Sequence, residues 1–594
     1  VPPITPQTPS ATNRWAFGVI ASRGLDTNGI PASTSTLVGV KSGRLTVSNS
    51  VLVAQGPLDT VYDLGPDVFG ADYNAYHRVP GALLARVSRA AVFGITSLQV
   101  DHLNTWADWS GSDSNSLAAD PLFADLDQGN LHPKSQGGRW DWSVTNWVAD
   151  DATSPLVDMA DPAADFGLEP TNNGSRANLG VYGGTAFASR SPEEPSFVLL
   201  ALNEGGVVSN TVTLKWQARG AATNGAASIW LSTNSGVNWD QIGTNPAAAG
   251  SYVWDTTTNR SVPTARWQMR HLVIPGVEAE SDRDFLIHNE PLIYYVNDGS
   301  ISNDLWCSAV GSAAHTGLAS NSPLPSLKHV LDRYDLEPGD TVRMDTGEYL
   351  QTSPTVLGYL DSGSESDPVV IEGSSQHPGT LIQNAGLTLV NARGVEARRL
   401  RLQTPSPGAV LANIDASEHI LFEEVDLTGG AVGAGISGSS NVCFRHFSAV
   451  GATTNGVESY VSYGTFLEFG TIWSNGNVQV LSSSTPKTGI GTKPDAFVSV
   501  SNCILGAFGL RKPVYNVRGT LQANYNSLFL TNGALAALTY EGGITREHDS
   551  VGRWTEATGL DSASLSHVPR FANASAGDFH LRTQAPGGRW DPAA

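Results

Sequence analysis

The stretch "WADWSGSDSNSLAADPLFADLDQGNLHPKSQGGRWD" occupies residues 106–141, and "WTEATGLDSASLSHVPRFANASAGDFHLRTQAPGGRWD" occupies residues 554–591. From Trp106 to His132 the two run at a constant offset of 448, and the Gly-Gly-Arg-Trp-Asp pentapeptide that closes each recurs at an offset of 450. Working back, "FGVIAS" at 17–22 answers "FGTIWS" at 469–474. "VSNSVL" at 47–52 answers "VSNCIL" at 500–505, and "ADYNAY" at 71–76 answers "ANYNSL" at 523–528. The drift of a few positions is what loop insertions around a shared framework produce. Residues 14–141 and about 466–591 are therefore two copies of one unit, a long-period repeat that governs the rest of the reading.

Composition bounds the architecture. A chain of 594 residues exceeds one ordinary hydrophobic core, so two or three domains are expected. With 62 Gly, 15% charged residues and few helix-forming runs, the profile is that of an all-β protein. The formal charge of −21 argues against nucleic acid or an anionic membrane as a partner, since both are polyanions. Three cysteines, Cys307, Cys443 and Cys503, make no disulfide framework and show no zinc spacing. Cys503 stands where the other copy has Ser50, so it reads as a small buried residue. No apolar run approaches the length of a membrane span. Residues 1–13, "VPPITPQTPSATN", read as a linker at a cut end.

Residues 14–105 are short apolar or alternating runs broken by Gly, Asn, Asp and Ser, which predicts short strands joined by turns with no helix of useful length. Residues 195–290 differ. "VTLKWQA", "ASIWLSTNSGVNWDQIG", "GSYVWDTT" and "ARWQMRHLVI" alternate over longer spans, as in a β-sandwich, with Trp216, Trp239, Trp254 and Trp267 as its expected core. At residues 326–334, Leu327, Val330, Leu331 and Tyr334 fall at helical spacing and predict a short amphipathic cap.

The order "DPLF…LH…GGRWD…SPLVDMADP…RANLGVYGG" across 120–184 resembles the closing turns of right-handed parallel β-helix proteins of the pectate-lyase-like type, found in large secreted bacterial polypeptides. The resemblance covers about residues 14–190 and 292–594. "LSTNSGVNWDQI" resembles a strand-turn-strand of immunoglobulin-like or fibronectin-like modules. The expected fold class is all-β: two right-handed parallel β-helix segments joined by an Ig-like sandwich. The expected boundaries are a linker at 1–13, the end of a first β-helix at 14–192, the sandwich at 195–290, and a second, capped β-helix at 292–594. Coils of about 20 to 30 residues would stack to bury an interior that no coil buries alone.

The resemblance also raises an enzyme. A polysaccharide lyase needs a Lys or Arg base, and the candidates are Lys487, Lys493, Arg511 and Lys512. A glycoside hydrolase needs two carboxylates on neighbouring coils. Between the copies, "GLRKPVYNV" aligns with "GPLDTVYDL", which lacks the basic pair, and only Lys41 could match Lys493. The shared residues are instead Asn49 with Asn502, Tyr73 with Tyr525, Asn74 with Asn526, Phe123 with Phe571, and His132 with His580. Asn at such positions is expected to hold turn backbone and the aromatics to fill the interior. In the pentapeptide, Arg139 with Asp141, and Arg589 with Asp591, are expected to clamp a turn, with Trp140 and Trp590 packed over the helix end; a sugar-binding cluster of Arg, Trp and Asp is the alternative. Asp120, Asp125 and Asp127 are weak Ca²⁺ candidates, since their counterparts in the second copy are not acidic; no other cofactor is expected.

The expectation is thus a non-enzymatic, extracellular structural or adhesive protein, a window on a longer tandem array. Its partners would be further copies of itself and extracellular polysaccharide. A lyase or hydrolase acting on acidic polysaccharide and a carbohydrate-binding surface module are the alternatives.

Overall fold

The computed structural model describes residues 12–22, 35–40, 44–65, 69–91, 94–474, 479–484, 497–507, 514–517, 520–530, 536–539, 545–573 and 578–582. The chain divides into two compact units, residues 1–90 with 97–290, and residues 91–96 with 291–594. The repeat-turn residues Arg589, Trp590 and Asp591 and the basic candidates Lys487, Lys493, Arg511 and Lys512 lie outside the described residues.

In the second unit, short runs such as "VVIEG", "RGVEAR" and "EHILFE" bury every other side chain, as strands with one face inward must. The chain visits three sheets in turn. They hold nine, eight and nine strands, paired in parallel except for Thr545–His548, which runs antiparallel to Ala536–Thr539. Three long parallel sheets wound in this order are consistent with a parallel β-helix. Strand register stacks like on like: Ile371, Ala397, Phe422, Phe444, Leu467, Val500 and Ala523 form one buried column. Phe422 and Phe444 lie ring on ring at 4.7 Å and 6°. Each fully buried aliphatic or aromatic side chain in such a column contributes about 1.5–3 kcal/mol. The outward column one residue further on alternates in sign, Arg343, Glu372, Arg398, Glu423, Arg445, Glu468. Arg445 meets Glu468 at 3.0 Å and Glu423 at 3.9 Å.

The first unit repeats this scheme at smaller size. Thr12–Ala16, Arg44–Ser48 and Phe69–Asp72 pair in parallel, as do Val19–Ala21, Val51–Ala54, Ala75–Arg78 and Leu117–Ala118, and Thr36–Val40, Thr60–Leu64 and Leu83–Ala91. Residues 196–287 form an antiparallel, sandwich-like region: a three-stranded sheet, and a larger one whose only parallel pair is Val207–Val208 with Phe285–Ile287. Its core holds Trp216, Trp254 and Trp267, whereas Trp239 is only half-buried. That tryptophan follows a tight turn in which Ser232 and Asn234 accept the Gly236 and Asn238 N–H groups, and the turn carries it out of the strand register.

Two further expectations need correction. A helix, α1 (Leu103–Ser110), begins inside the stretch expected to be free of helix. It is followed by α2 (Leu327–Leu331), with Leu327 and Val330 buried, and by α3 (Val551–Thr558), the internal counterpart of α1. Both α1 and α3 end in a left-handed glycine, Gly111 and Gly559. The tyrosines Tyr73 and Tyr525 do not fill the interior, and Tyr525 is 65% exposed. They sit in a column of single-residue corners with positive φ: Arg399, Glu424, His446, Phe469, Asn502 and Tyr525 in the second unit, and Phe17, Asn49 and Tyr73 in the first. One left-handed residue turns the chain from one sheet to the next, and asparagine tolerates that geometry best among residues with a Cβ.

Candidate functional site

The sites predicted from sequence resolve into three situations. Asp120 and Asp125 each accept a backbone N–H from their own turn, of Leu122 and Gln128, and with Asp127 they are exposed. Their oxygens are not drawn into one ligand set among the described residues. The basic candidates are not described. The pentapeptide of the first copy is described, and it builds a site.

Gly137 and Gly138 have separate reasons to be glycine. A Cβ on Gly137 would stand 2.2 Å from the Ser191 carbonyl oxygen, while Gly138 takes φ +108°. The backbone thereby docks closely on residues 190–191: the Arg190 N–H donates to the Gly138 carbonyl at 2.9 Å and the Ser135 hydroxyl to the Arg190 carbonyl at 2.5 Å. Arg139–Asp141 then pairs antiparallel with Asn146–Val148 as a hairpin. Arg139 holds it by donating to Asp150 at 3.0 Å and to Asp141 at 3.1 Å. The Ser143 hydroxyl and N–H also donate to Asp141, and these bonds, with Arg139, bring its carboxyl down to about 2. His132 lies fully buried against the Tyr182 ring. Burial first, then the Arg139 charge, lowers its pKa to about 4, so it is neutral at physiological pH.

Arg139 therefore bridges Asp141 and Asp150 at this turn, and Trp140 packs among neighbouring aromatic rings. It meets Trp142, Trp147 and Phe187 at 5.8, 5.7 and 5.6 Å between ring centres, and Trp142 meets Phe187 at 4.6 Å. Arg190 stacks 4.0 Å over Trp147. Trp142 is 53% exposed and Phe187 37%. This aromatic group lies outside the buried cluster that fills the neighbouring core. Sequence comparison of the copies overlooked it because Pro592 stands where the first copy has Trp142.

A second constellation, buried and built twice, also escaped the reading. In the first copy the Asp113 carboxylate accepts from the Trp106 indole at 2.9 Å, the Ser116 hydroxyl at 2.6 Å and the Asn74 amide at 3.1 Å. Asn74 also donates to the Val47 carbonyl at 3.1 Å and accepts from the Ser50 N–H at 3.0 Å. In the second copy Asp561 accepts from Trp554, Ser564 and Asn526 at 3.1, 2.6 and 3.0 Å, and Asn526 bonds the Val500 carbonyl and the Cys503 N–H at 3.1 and 2.9 Å. Desolvation raises the Asp113 pKa against the pull of these donors. With its oxygens occupied and no exposure, such a carboxylate ties the closing helix to the coil beneath it. Cys503 behaves as the Ser50 it replaces: each side chain bonds a carbonyl two residues back, and receives a glycine N–H from the coil before. Burial pushes its thiol up to about 12.

Comparison with protein-family models, with curated proteins and with solved structures found no match.

Proposed function

We propose that this chain is a structural or adhesive extracellular protein, assembled from right-handed parallel β-helices and Ig-like sandwich spacers that repeat with a period of about 450 residues. The observation that carries the reading is the duplicated closure. The same carboxylate–indole–amide–hydroxyl network, on the same corner geometry, ends both stacks of parallel strands. Selection that keeps the buried scaffold of two copies while their basic residues diverge is selection for a repeated fold. In the second unit, filled side-chain columns join each coil to the next, and load on one strand passes to its neighbours through backbone hydrogen bonds. The surplus of negative charge suits a protein that stays soluble outside the cell and does not adhere to polyanions.

Single-molecule pulling on the second unit tests this reading: resistance to force followed by stepwise loss of coils is expected. Incubation of the pure chain with polygalacturonate and alginate supplies the opposite outcome. Sustained release of unsaturated or reducing ends would make it a lyase or hydrolase and overturn the proposal.

A further inference from the structure

The hairpin displays more aromatic surface than its fold requires. Trp142 and Phe187 hold their rings partly in water at 4.6 Å and 51° to one another, backed by Trp140 and Trp147. Leaving large apolar rings exposed forfeits the burial that would stabilise the fold, and rigid exposed tryptophans in a group mark binding surfaces. Rigidity is supplied from below by the Arg139 ion pairs to Asp141 and Asp150 and by the close docking of Gly137 on Ser191. A platform held so tightly loses little conformational entropy on binding.

The surroundings narrow the ligand. The two guanidinium groups at this turn, Arg139 and Arg190, are matched in number by Asp141 and Asp150, so the turn offers no surplus of positive charge, and the chain as a whole carries −21, which disfavours a polyanion. Arg190, stacked over Trp147, makes no side-chain hydrogen bond among the described residues, and its Nε is buried without a partner. Aromatic faces beside the terminal N–H donors of Arg190, at a turn whose charges balance, suit a molecule with an apolar C–H face and a rim of hydroxyl acceptors. We propose that the Trp142–Phe187 face of this hairpin binds neutral polysaccharide, with pyranose rings stacked on the aromatic pair and ring hydroxyls accepting from Arg190. A β-linked glucan fits best, because its glycosidic bonds as well as its hydroxyls are equatorial, which leaves both faces of each ring apolar. The inference goes beyond the structural reading, since a coil stack needs no such face.

The test uses the full chain with amorphous cellulose in a pull-down and soluble mixed-linkage β-glucan in an affinity gel. Polygalacturonate and phosphatidylcholine–phosphatidylglycerol vesicles serve as contrasts. Retention on both neutral glucans is expected. Trp142→Ala and Phe187→Ala should each weaken it about tenfold, the loss of one stacking contact. Arg190→Gln should weaken it several-fold, and Trp109→Ala, which removes an exposed tryptophan elsewhere, should leave it unchanged. Unaltered melting of the two alanine variants shows that the fold survives. No retention on either glucan, retention indifferent to Trp142→Ala, preference for polygalacturonate, or Trp142-dependent binding to vesicles or to a second copy instead of glucan would each overturn the proposal. Failure here leaves the structural reading standing, whereas polysaccharide turnover would sink that reading without touching the dependence of retention on Trp142.

Discussion

A single left-handed residue at each corner sets a cost that depends on which side chain occupies it. Outside glycine, that conformation costs an L-residue about 1–2 kcal/mol, and asparagine pays least. Asn49 and Asn502 are therefore economical choices, while Tyr525, 65% exposed at φ 57°, is strained and recovers little by packing. Tyr525→Asn should stabilise the second unit by about 0.5–1 kcal/mol in denaturant melts. Tyr73→Asn should not, because the Arg176 guanidinium lies 5.8 Å over the Tyr73 ring and would lose that contact. Glu169 poses the other residue-scale question. One oxygen accepts the Asn178 and Gly184 N–H groups, the other is buried without a partner, and desolvation lifts its pKa to about 7. The folded group is then a weaker acid than the unfolded one, so folded molecules bind the extra proton between roughly pH 4.5 and 7. Stability from this group is complete below that window and declines as pH rises through it. Glu169→Gln should flatten the decline and raise the melting temperature at pH 8 while changing it little at pH 5. A variant as pH-sensitive as the parent would show that Glu169 is not the titrating group.

At the scale of elements, the helices α1 and α3 are held by the same device. Trp106→Phe removes the indole donor from a buried carboxylate, which costs about 1–3 kcal/mol, and Trp554→Phe should cost the same. Because the two tryptophans belong to different compact units, hydrogen exchange should show each variant loosening its own unit alone. A loss on Trp106→Phe that is negligible beside that on Trp106→Leu would mean that ring packing and not the indole N–H supplies the hold. These elements also show where sequence reading stops. That Trp106 answers Trp554 and His132 answers His580 is visible in one dimension, as is the clamp of Arg139 on Asp141, two residues apart. The convergence of Trp106, Ser116 and Asn74 on Asp113 is not visible, because Asn74 arrives from the coil beneath and nothing in local alternation states which coil lies below which. The helix itself was legible in principle, from Leu103 and Trp106 at i, i+3 followed by Gly111. The aromatic platform was not, since Phe187 comes from a separate segment and Trp142 has no counterpart to draw attention to it.

At the scale of the whole molecule, a stack of coils is quasi-one-dimensional, so a coil is a removable part provided its neighbours can meet. Removing residues 417–438 takes out one coil and joins Ala416 to Ser439, which keeps the corner order of a left-handed residue followed by a serine. The interior tolerates the join, since Val395 and Ala397 would then face Val442 and Phe444, buried apolar partners like those they lose. The outward column does not tolerate it, because Arg398 would face Arg445. Removing residues 417–461 instead brings Arg398 opposite Glu468 and restores alternation. Like charges directly opposed in a parallel ladder cost about what an opposed pair supplies, up to about 1 kcal/mol, and less in salt. The longer deletion should therefore be the better tolerated of the two at low ionic strength, and the difference should shrink as salt is added. If the one-coil deletion melted higher at every salt concentration, the charge column would be decoration and the buried columns alone would set which coils can meet.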